Sequence, residues 1–540
     1  MICVLCRLLL ACFLSLPVFA ASAQDWQKRS IYQLVTDRFA TSDGTSPACD
    51  TSKREYCNGT WQGVIGKLDY IQNMGFDAIW ISPVVANIEE TTADGQAYHG
   101  YWTEDQTSLN PHFGTSDDLK LLSTTLHERS MYLMIDVVVN HMAATALPPN
   151  LNYSAFAPEN FSNSSDFHPF CWITDYSNQT NVEQCWLGDS NVPLADVDTE
   201  DPAIVAFFNS WIHGLVQNYG ADGIRIDTVK HIRKDFWPNF TASADVWSIG
   251  EVLDGDVQYV SQYTEVLDAV LDYPAFYPLT AAFGNTSGDL SALTQTVQKE
   301  QSAYRLGTAM TGSFLENQDN PRFQSFQTDQ ALVLNAMTWP FVQDGIPILY
   351  YGQEQGYTGA NDPYNREALW LSGYEEDKPL VIHVRMLNAA RKAAVASSGN
   401  FLSTQLTFLT TTKNALAVSK PPMLALLSNG GSSSNPSWSV PNAGYKGGET
   451  LIDAVSCNTL KADKQGGVSV QSFNGTPKVI LPTSVFNESY CKSLKGDLYG
   501  NTGSTTEGAS SGAPEWGIKA SILPLVMTIV LVMVSWSAAG

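Results

Sequence analysis

Eight short apolar runs, separated by longer amphipathic or mixed stretches, constrain the fold more than any other feature of this chain. They span residues 31–36, 78–82, 132–138, 223–227, 246–250, 269–272, 313–316 and 346–350. Each has the length of a buried strand, and the stretches between them are long enough for a helix and its loops. Strands that alternate with helices give a parallel sheet, and eight of them are the number that closes a barrel. The fold class expected is therefore α/β, a (β/α)8 TIM barrel over residues 24–401. The 540-residue length leaves room for a second, smaller domain. Residues 142–200, after the third run, are rich in Asn, Ser and Phe and too long for a simple connection, so an inserted subdomain is expected after strand 3. Over 402–493 the helical pattern fades into short β-prone runs broken by Gly, Ser, Pro and Asn, which predicts a C-terminal antiparallel β-sandwich domain.

Three of the apolar runs end in acids. Asp222-Gly223-Ile224-Arg225-Ile226-Asp227 presents Asp227, Trp247-Ser248-Ile249-Gly250-Glu251 presents Glu251, and Gly312-Ser313-Phe314-Leu315-Glu316-Asn317-Gln318-Asp319 leads to Asp319. Residues two apart on a strand share a face, so Arg225 and Asp227 point one way while Ile224 and Ile226 point the other. In a barrel these strand ends converge on one mouth. An arginine beside Asp227 can hold that carboxylate ionised, as a nucleophile requires, and a partly buried Glu251 can keep the proton a general acid needs. A lone acid after a strand is more often a helix cap. Three of them with Arg225 favour chemistry on a sugar bond.

Taken with Asp136-Val137-Val138-Val139-Asn140-His141, Tyr98-His99-Gly100-Tyr101-Trp102 and Asn361-Asp362-Pro363-Tyr364-Asn365-Arg366-Glu367, these segments resemble the α-amylase family, glycoside hydrolase family 13, over about residues 30–491. The resemblance is to secreted fungal members. It implies a retaining, endo-acting enzyme on α-1,4-glucans such as starch or maltooligosaccharides. Asp227 would be the nucleophile, Glu251 the acid/base and Asp319 the third acid. His99, Tyr101, His141, Asp362 and Arg366 would lie at the sugar that is cleaved and Lys230 on the acceptor side, with Trp102, Arg225, His231 and Gln318 as further substrate contacts. The resemblance also implies a structural Ca²⁺ held by Asn140, a Glu183 oxygen, Asp196 and the His231 carbonyl. The Asn oxygen suits that hard cation, and zinc is not expected, because the cysteines serve better as disulfides. A non-catalytic glucan-binding protein on the same scaffold is the alternative, which the three retained acids oppose. An enzyme for α-1,1 or α-1,6 bonds is a weaker reading.

The chain departs from the family at Gln318, where most members have His. An amide can still donate to a sugar hydroxyl, but it is neutral and differently shaped. A lost transition-state donor costs roughly 2–4 kcal/mol. The resemblance is closest to the GPI-anchored fungal branch, associated with 4-α-glucanotransferase activity in cell-wall α-glucan metabolism, so transfer is expected beside hydrolysis.

The termini and the charge bear on location. Residues 1–23 read as a signal peptide, with an apolar core from Leu8 to Phe19 and a small-residue cleavage site at Ala21-Ser22-Ala23. Three of the nine cysteines leave with it. The spacing of the other six suggests Cys49–Cys57, Cys171–Cys185 and Cys457–Cys491, pairs the resemblance also implies. Nine Asn-X-Ser/Thr sequons, from Asn58 to Asn487, fit an exported glycoprotein. Residues 494–512 are a Gly/Ser/Thr-rich linker, and 513–540 end in an apolar tail with no Lys or Arg after it, the pattern of a GPI-attachment signal rather than a stop-transfer helix. The expected location is the extracellular face of the plasma membrane or the cell wall. The net charge of −24 opposes nucleic-acid binding. The expected partners are an α-glucan and the GPI lipid, and the expected state is a monomer.

Overall fold

The computed structural model describes residues 21–495. Apart from residues 21–23 and 494–495, the expected signal peptide, linker and attachment signal lie outside the described residues.

Strands β1 Ile31–Leu34, β2 Ala78–Ile81, β3 Tyr132–Val137, β4 Gly223–Ile226, β5 Trp247–Gly250, β6 Ala269–Leu271, β7 Thr311–Ser313 and β8 Ile346–Tyr350 form a closed, all-parallel barrel in sequence order. Period-two alternation builds two layers. Ile31, Trp80, Met134, Ile249, Leu271 and Ile348 fill the barrel interior. Their neighbours Tyr32, Ile79, Leu133, Ile224 and Ile226 pack outward beneath the helices. The interior is thus a packed core and the chemistry is left to the mouth.

Seven of the eight expected runs coincide with strands to within two residues at either end. The seventh is displaced: the strand is Thr311–Ser313, and residues 314–316 lie beyond its last ladder partner. Gly312 is the cause. A Cβ there would lie 2.6 Å from Ile249 Cδ1 and 2.7 Å from Ile348 Cδ1, so the crowded interior admits only glycine. A strand centred on a residue without a side chain carries little hydrophobic signal.

Two additions to the barrel shape its mouth. After β2, a hairpin of Val85–Asn87 and Thr103–Leu109 carries the Tyr98–Trp102 segment in its loop. After β3, His141–Ala143, Leu187–Gly188 and Pro193–Asp196 make a three-stranded sheet, the inserted subdomain expected there. The last barrel helix, Pro379–Ser397, leads to a C-terminal six-stranded antiparallel sheet that begins at Thr407. Leu416, Val418 and Ala425 on one face of that sheet join the barrel's outer core. Ala417, Leu424 and Leu426 on the other face pack with Trp438 and Val468 of a two-stranded sheet. A buried ion pair, Lys420 Nζ to Asp344 at 2.6 Å, ties this domain to the barrel. The disulfides are Cys49–Cys57, Cys171–Cys185 and Cys457–Cys491, as the spacing suggests.

Candidate active site

Arg225 organises the mouth of the barrel. It projects inward from β4 and is 1% exposed. Its Nη1 donates to Asp227 Oδ1 at 2.8 Å and to Asp136 Oδ1 at 2.9 Å, and its Nη2 lies 3.0 Å from Glu251 Oε2. One guanidinium thus binds carboxylates from three adjacent strands. Asp136 also accepts from Tyr101 Oη at 2.6 Å and Trp80 Nε1 at 3.0 Å. Burial pushes its carboxyl up, to about 7, against the pull of Arg225. With its oxygens taken by donors on every side, Asp136 anchors Arg225 and is not free to react.

Glu251 follows Gly250, which lies against Leu267 and Val229; a Cβ there would come within 2.3 Å of Leu267 Cδ1. The glycine lets the end of β5 sit deep, and Glu251 is 5% exposed. It accepts from the Thr228 backbone N–H at 3.1 Å and from Tyr273 Oη at 3.2 Å. Burial raises its pKa and the charge of Asp227 raises it further, while Arg225 opposes both. Asp319 stands across the mouth, with Arg366 Nη2 3.5 Å from its Oδ1. Burial, aided by the charge of Glu251, pushes it up to about 7.

Arg366 also pairs with Asp362 at 2.9 Å, and its Nε donates to the Gln318 carbonyl at 3.1 Å. Arg54 reaches Asp362 at 3.0 Å. These groups, with Tyr98, His99 and Trp102, line a small pocket at the mouth. Burial holds the His99 imidazole well below its usual range, and its Nδ1 accepts from the Tyr101 backbone N–H at 3.0 Å. Trp102 packs with Ala143, Leu187 and Leu194, fastening the hairpin loop to the inserted subdomain. Gln318 is 3% exposed; its Nε2 donates to Tyr101 Oη at 3.1 Å and its Oε1 accepts from Gln33 Nε2 at 2.5 Å.

Lys230 Nζ donates to the Leu253 carbonyl at 2.6 Å and lies 5.1 Å from the centre of the Tyr176 ring. The His231 ring is within hydrogen-bonding distance of the Val182 carbonyl, at 3.1 Å, on the helix Gln179–Gln184, and burial lowers its pKa to about 3. That helix also carries Glu183. His141 Nε2 lies 3.1 Å from the Tyr101 carbonyl. The Asn140 and Asp196 Oδ1 atoms are buried with no hydrogen-bond partner among the described residues; Asn140 directly precedes the strand His141–Ala143, whose His141 pairs with Asp196. Two orphaned hard oxygens on neighbouring segments fit a Ca²⁺ site. His168 takes the other oxygen of Asp196 at 2.6 Å, and His168, Asp198 and Glu200 form a neighbouring group that could hold a metal ion.

Sequence reasoning missed Asp136, Tyr273, Gln33 and Arg54 as parts of the site. The available signal for Asp136 was its parity with inward-facing Met134 in a run that is otherwise apolar. Tyr273 and Arg54 carry no local signal; the barrel brings them in from other elements.

A parallel barrel with an arginine-braced carboxylate pair at its C-terminal mouth, and a third acid across from it, is the working centre of an enzyme on glycosidic bonds. The comparisons agree. Residues 33–393 match the family described as "Alpha amylase, catalytic domain", and residues 408–497 match "Alpha-amylase, domain C". Alpha-amylase 1 of Lipomyces kononenkoae is 50% identical over 392 residues, 72% of this chain and 62% of that protein, so this chain spans less than two thirds of it. The alpha-amylase of Saccharomycopsis fibuligera is 43% identical, covering 85% of this chain and 92% of that one. The solved alpha-amylase from Malbranchea cinnamomea has a TM-score of 0.85 and 41% identity, covering 87% of this chain and 100% of that chain. The chain belongs to the α-amylase family of glycoside hydrolases.

Proposed function

We propose that this protein cleaves α-1,4-glucans with retention of configuration and passes part of the cleaved glycosyl to a second sugar, as a 4-α-glucanotransferase. The observation that carries the reading is the single guanidinium of Arg225 set between Asp227 and Glu251. It holds the two carboxyls as close neighbours, and a retaining mechanism needs them about 5 Å apart. Asp227 Oδ attacks the anomeric carbon while Glu251 gives its proton to the departing glycosidic oxygen. The result is a glycosyl ester on Asp227 and a free sugar hydroxyl. Glu251, now ionised, takes a proton from water or from an incoming sugar hydroxyl, whose oxygen displaces Asp227. The raised pKa of Glu251 suits the first step. Asp319, held by Arg366, binds hydroxyls of the reacting glucose. The neutral Gln318 amide beside the reacting centre supports a share of transfer.

Asn140, Asp196, Glu183 and the His231 carbonyl would hold Ca²⁺, which ties the inserted subdomain to the barrel and takes no part in the chemistry. Export through the signal peptide and a GPI anchor at the membrane or wall completes the reading, with a role in cell-wall α-glucan. The test is product length on one defined maltooligosaccharide. Shorter and longer products together are expected; shorter products alone would remove the transfer activity, and binding without turnover would remove the enzyme. Release of full-length protein from cells by a phosphatidylinositol-specific phospholipase tests the anchor.

A further inference from the structure

Gln33 is a polar residue where the barrel pattern calls for an apolar one. On β1 it shares the inward face with Ile31, which packs on Trp80, Met134 and Ile348, and it lies one layer nearer the mouth. It is 3% exposed, with Trp80 and Tyr350 as its ladder neighbours. Among the described residues its side chain makes one hydrogen bond, from Nε2 to Gln318 Oε1 at 2.5 Å, and its own Oε1 is buried with no partner. A buried amide left half satisfied is costly, and such costs are retained where they serve a purpose.

The chain of donors beyond Gln33 shows the purpose. Gln318 Nε2 donates to Tyr101 Oη at 3.1 Å, and Tyr101 Oη donates to Asp136 Oδ2 at 2.6 Å. The two ends of an amide have nearly the same shape, so only the pattern of donors and acceptors decides which way Gln318 faces. Tyr101 Oη, its proton given to Asp136, accepts from Gln318 Nε2, which turns Gln318 Oε1 toward β1, and the Gln33 NH₂ meets that oxygen and holds the arrangement. With Gln318 reversed, the single hydroxyl proton of Tyr101 would be contested between a carboxylate and a carbonyl. The Gln318 backbone is already clamped by Asn365 and Arg366 at its carbonyl, so side-chain rotation is the freedom left to control.

We propose that Gln33 is a positioning residue for Gln318: it locks the amide with its NH₂ toward Tyr101 and the cleft, where the second N–H meets a hydroxyl of the bound glucan. The inference rests on the reading above, that Gln318 lies beside the reacting sugar, and it makes the two glutamines one functional unit.

The test is a double-mutant cycle of Gln33→Leu and Gln318→Leu in the full-length protein, read as kcat and KM on one maltooligosaccharide with melting temperature alongside. Gln33→Leu should lower kcat about tenfold, the equivalent of one net hydrogen bond, and change KM much less. Its melting temperature should change little, because the orphaned Gln33 Oε1 is removed while Gln318 Oε1 loses its donor, two effects of opposite sign. In the Gln318→Leu background the same substitution should have no further effect on kcat. Effects on kcat that multiply would overturn the proposal, as would a Gln33→Leu variant with wild-type kcat. Asp227→Asn, run beside the cycle, tests the catalytic reading by itself, since it alters neither glutamine: turnover by that variant would sink the reading, whereas multiplying effects of the two glutamine substitutions would sink only their coupling. Failure of the catalytic reading and failure of the Gln33–Gln318 coupling are thereby told apart.

Discussion

At the residue scale, the site is a set of acids whose protonation is fixed by who touches them. Tyr273 donates to Glu251 Oε1 and so favours its ionised form, against the stronger effect of burial. Removing that hydroxyl in Tyr273→Phe should raise the Glu251 pKa further. A general acid works while protonated, so the alkaline limb of the kcat profile should move to higher pH in the variant. A limb that stays in place or moves down would separate Glu251 from the acid role. Gln318→His tests the neighbouring position: hydrolysis should gain on transfer, and the ratio of longer to shorter products should fall. A constant ratio with both rates changed would confine Gln318 to overall efficiency. The roles of Asp227 and Glu251 were implied by the family resemblance, and the pairing of Asp227 with Arg225 was legible because strand parity puts 225 and 227 on one face. Asp136 was not, because its value lies in holding Arg225, a contact made across two strands that are 89 residues apart.

At the scale of elements, the inserted subdomain and the barrel meet at Asn140 and Asp196, each with an Oδ1 that has no hydrogen-bond partner among the described residues. A cation there binds only the folded arrangement, and at 100 times its Kd a ligand of this kind adds about 2.7 kcal/mol. Chelation should therefore lower the melting temperature first and activity after it. Asn140→Ala should shrink the calcium dependence of melting. An unchanged melting curve with metal shown to be removed would contradict the site. The barrel strands could be read from the sequence because each is a compact apolar run between polar breaks. The seventh was misplaced because Gly312 answers to Ile249 and Ile348 on other strands, and no local pattern records that. The hairpin that delivers Tyr98–Trp102 went unseen because Thr103–Leu109 is polar and half exposed and lacks a buried-strand signature.

At the scale of the whole molecule, one pair of buried acids has no cation among the described residues. Glu300 on the helix Leu290–Ala303 is fully buried, and neither carboxylate oxygen receives a donor. It faces Asp272 at the end of β6; burial, then the charge of Asp272, raises the Glu300 pKa well above its usual range, and burial pushes Asp272 up to about 6. A raised folded-state pKa favours the fold while the group is protonated. That contribution is complete below about pH 4, near the unfolded values, and is lost as pH rises through 6 and beyond. The melting temperature should thus be higher at pH 5 than at pH 8 with calcium saturating at both. Glu300→Gln should narrow the difference by removing the proton that has to be kept. An unchanged difference in the variant would place the pH dependence elsewhere. The sequence showed 54 acids against 30 bases but could not mark this pair, since 27 residues separate Asp272 from Glu300 and only the packing of that helix on the barrel joins them.

In the proposed mechanism Asp227 and Glu251, braced by one arginine, act as nucleophile and acid/base in a double displacement. The most direct test is the anomeric configuration of the first product released from a maltooligosaccharide, followed by proton NMR before mutarotation, with Asp227→Asn run beside the wild type. The α-anomer is expected from the wild type and no turnover from the folded variant. A β-anomer as the first product, or near-normal turnover by Asp227→Asn, would contradict the mechanism.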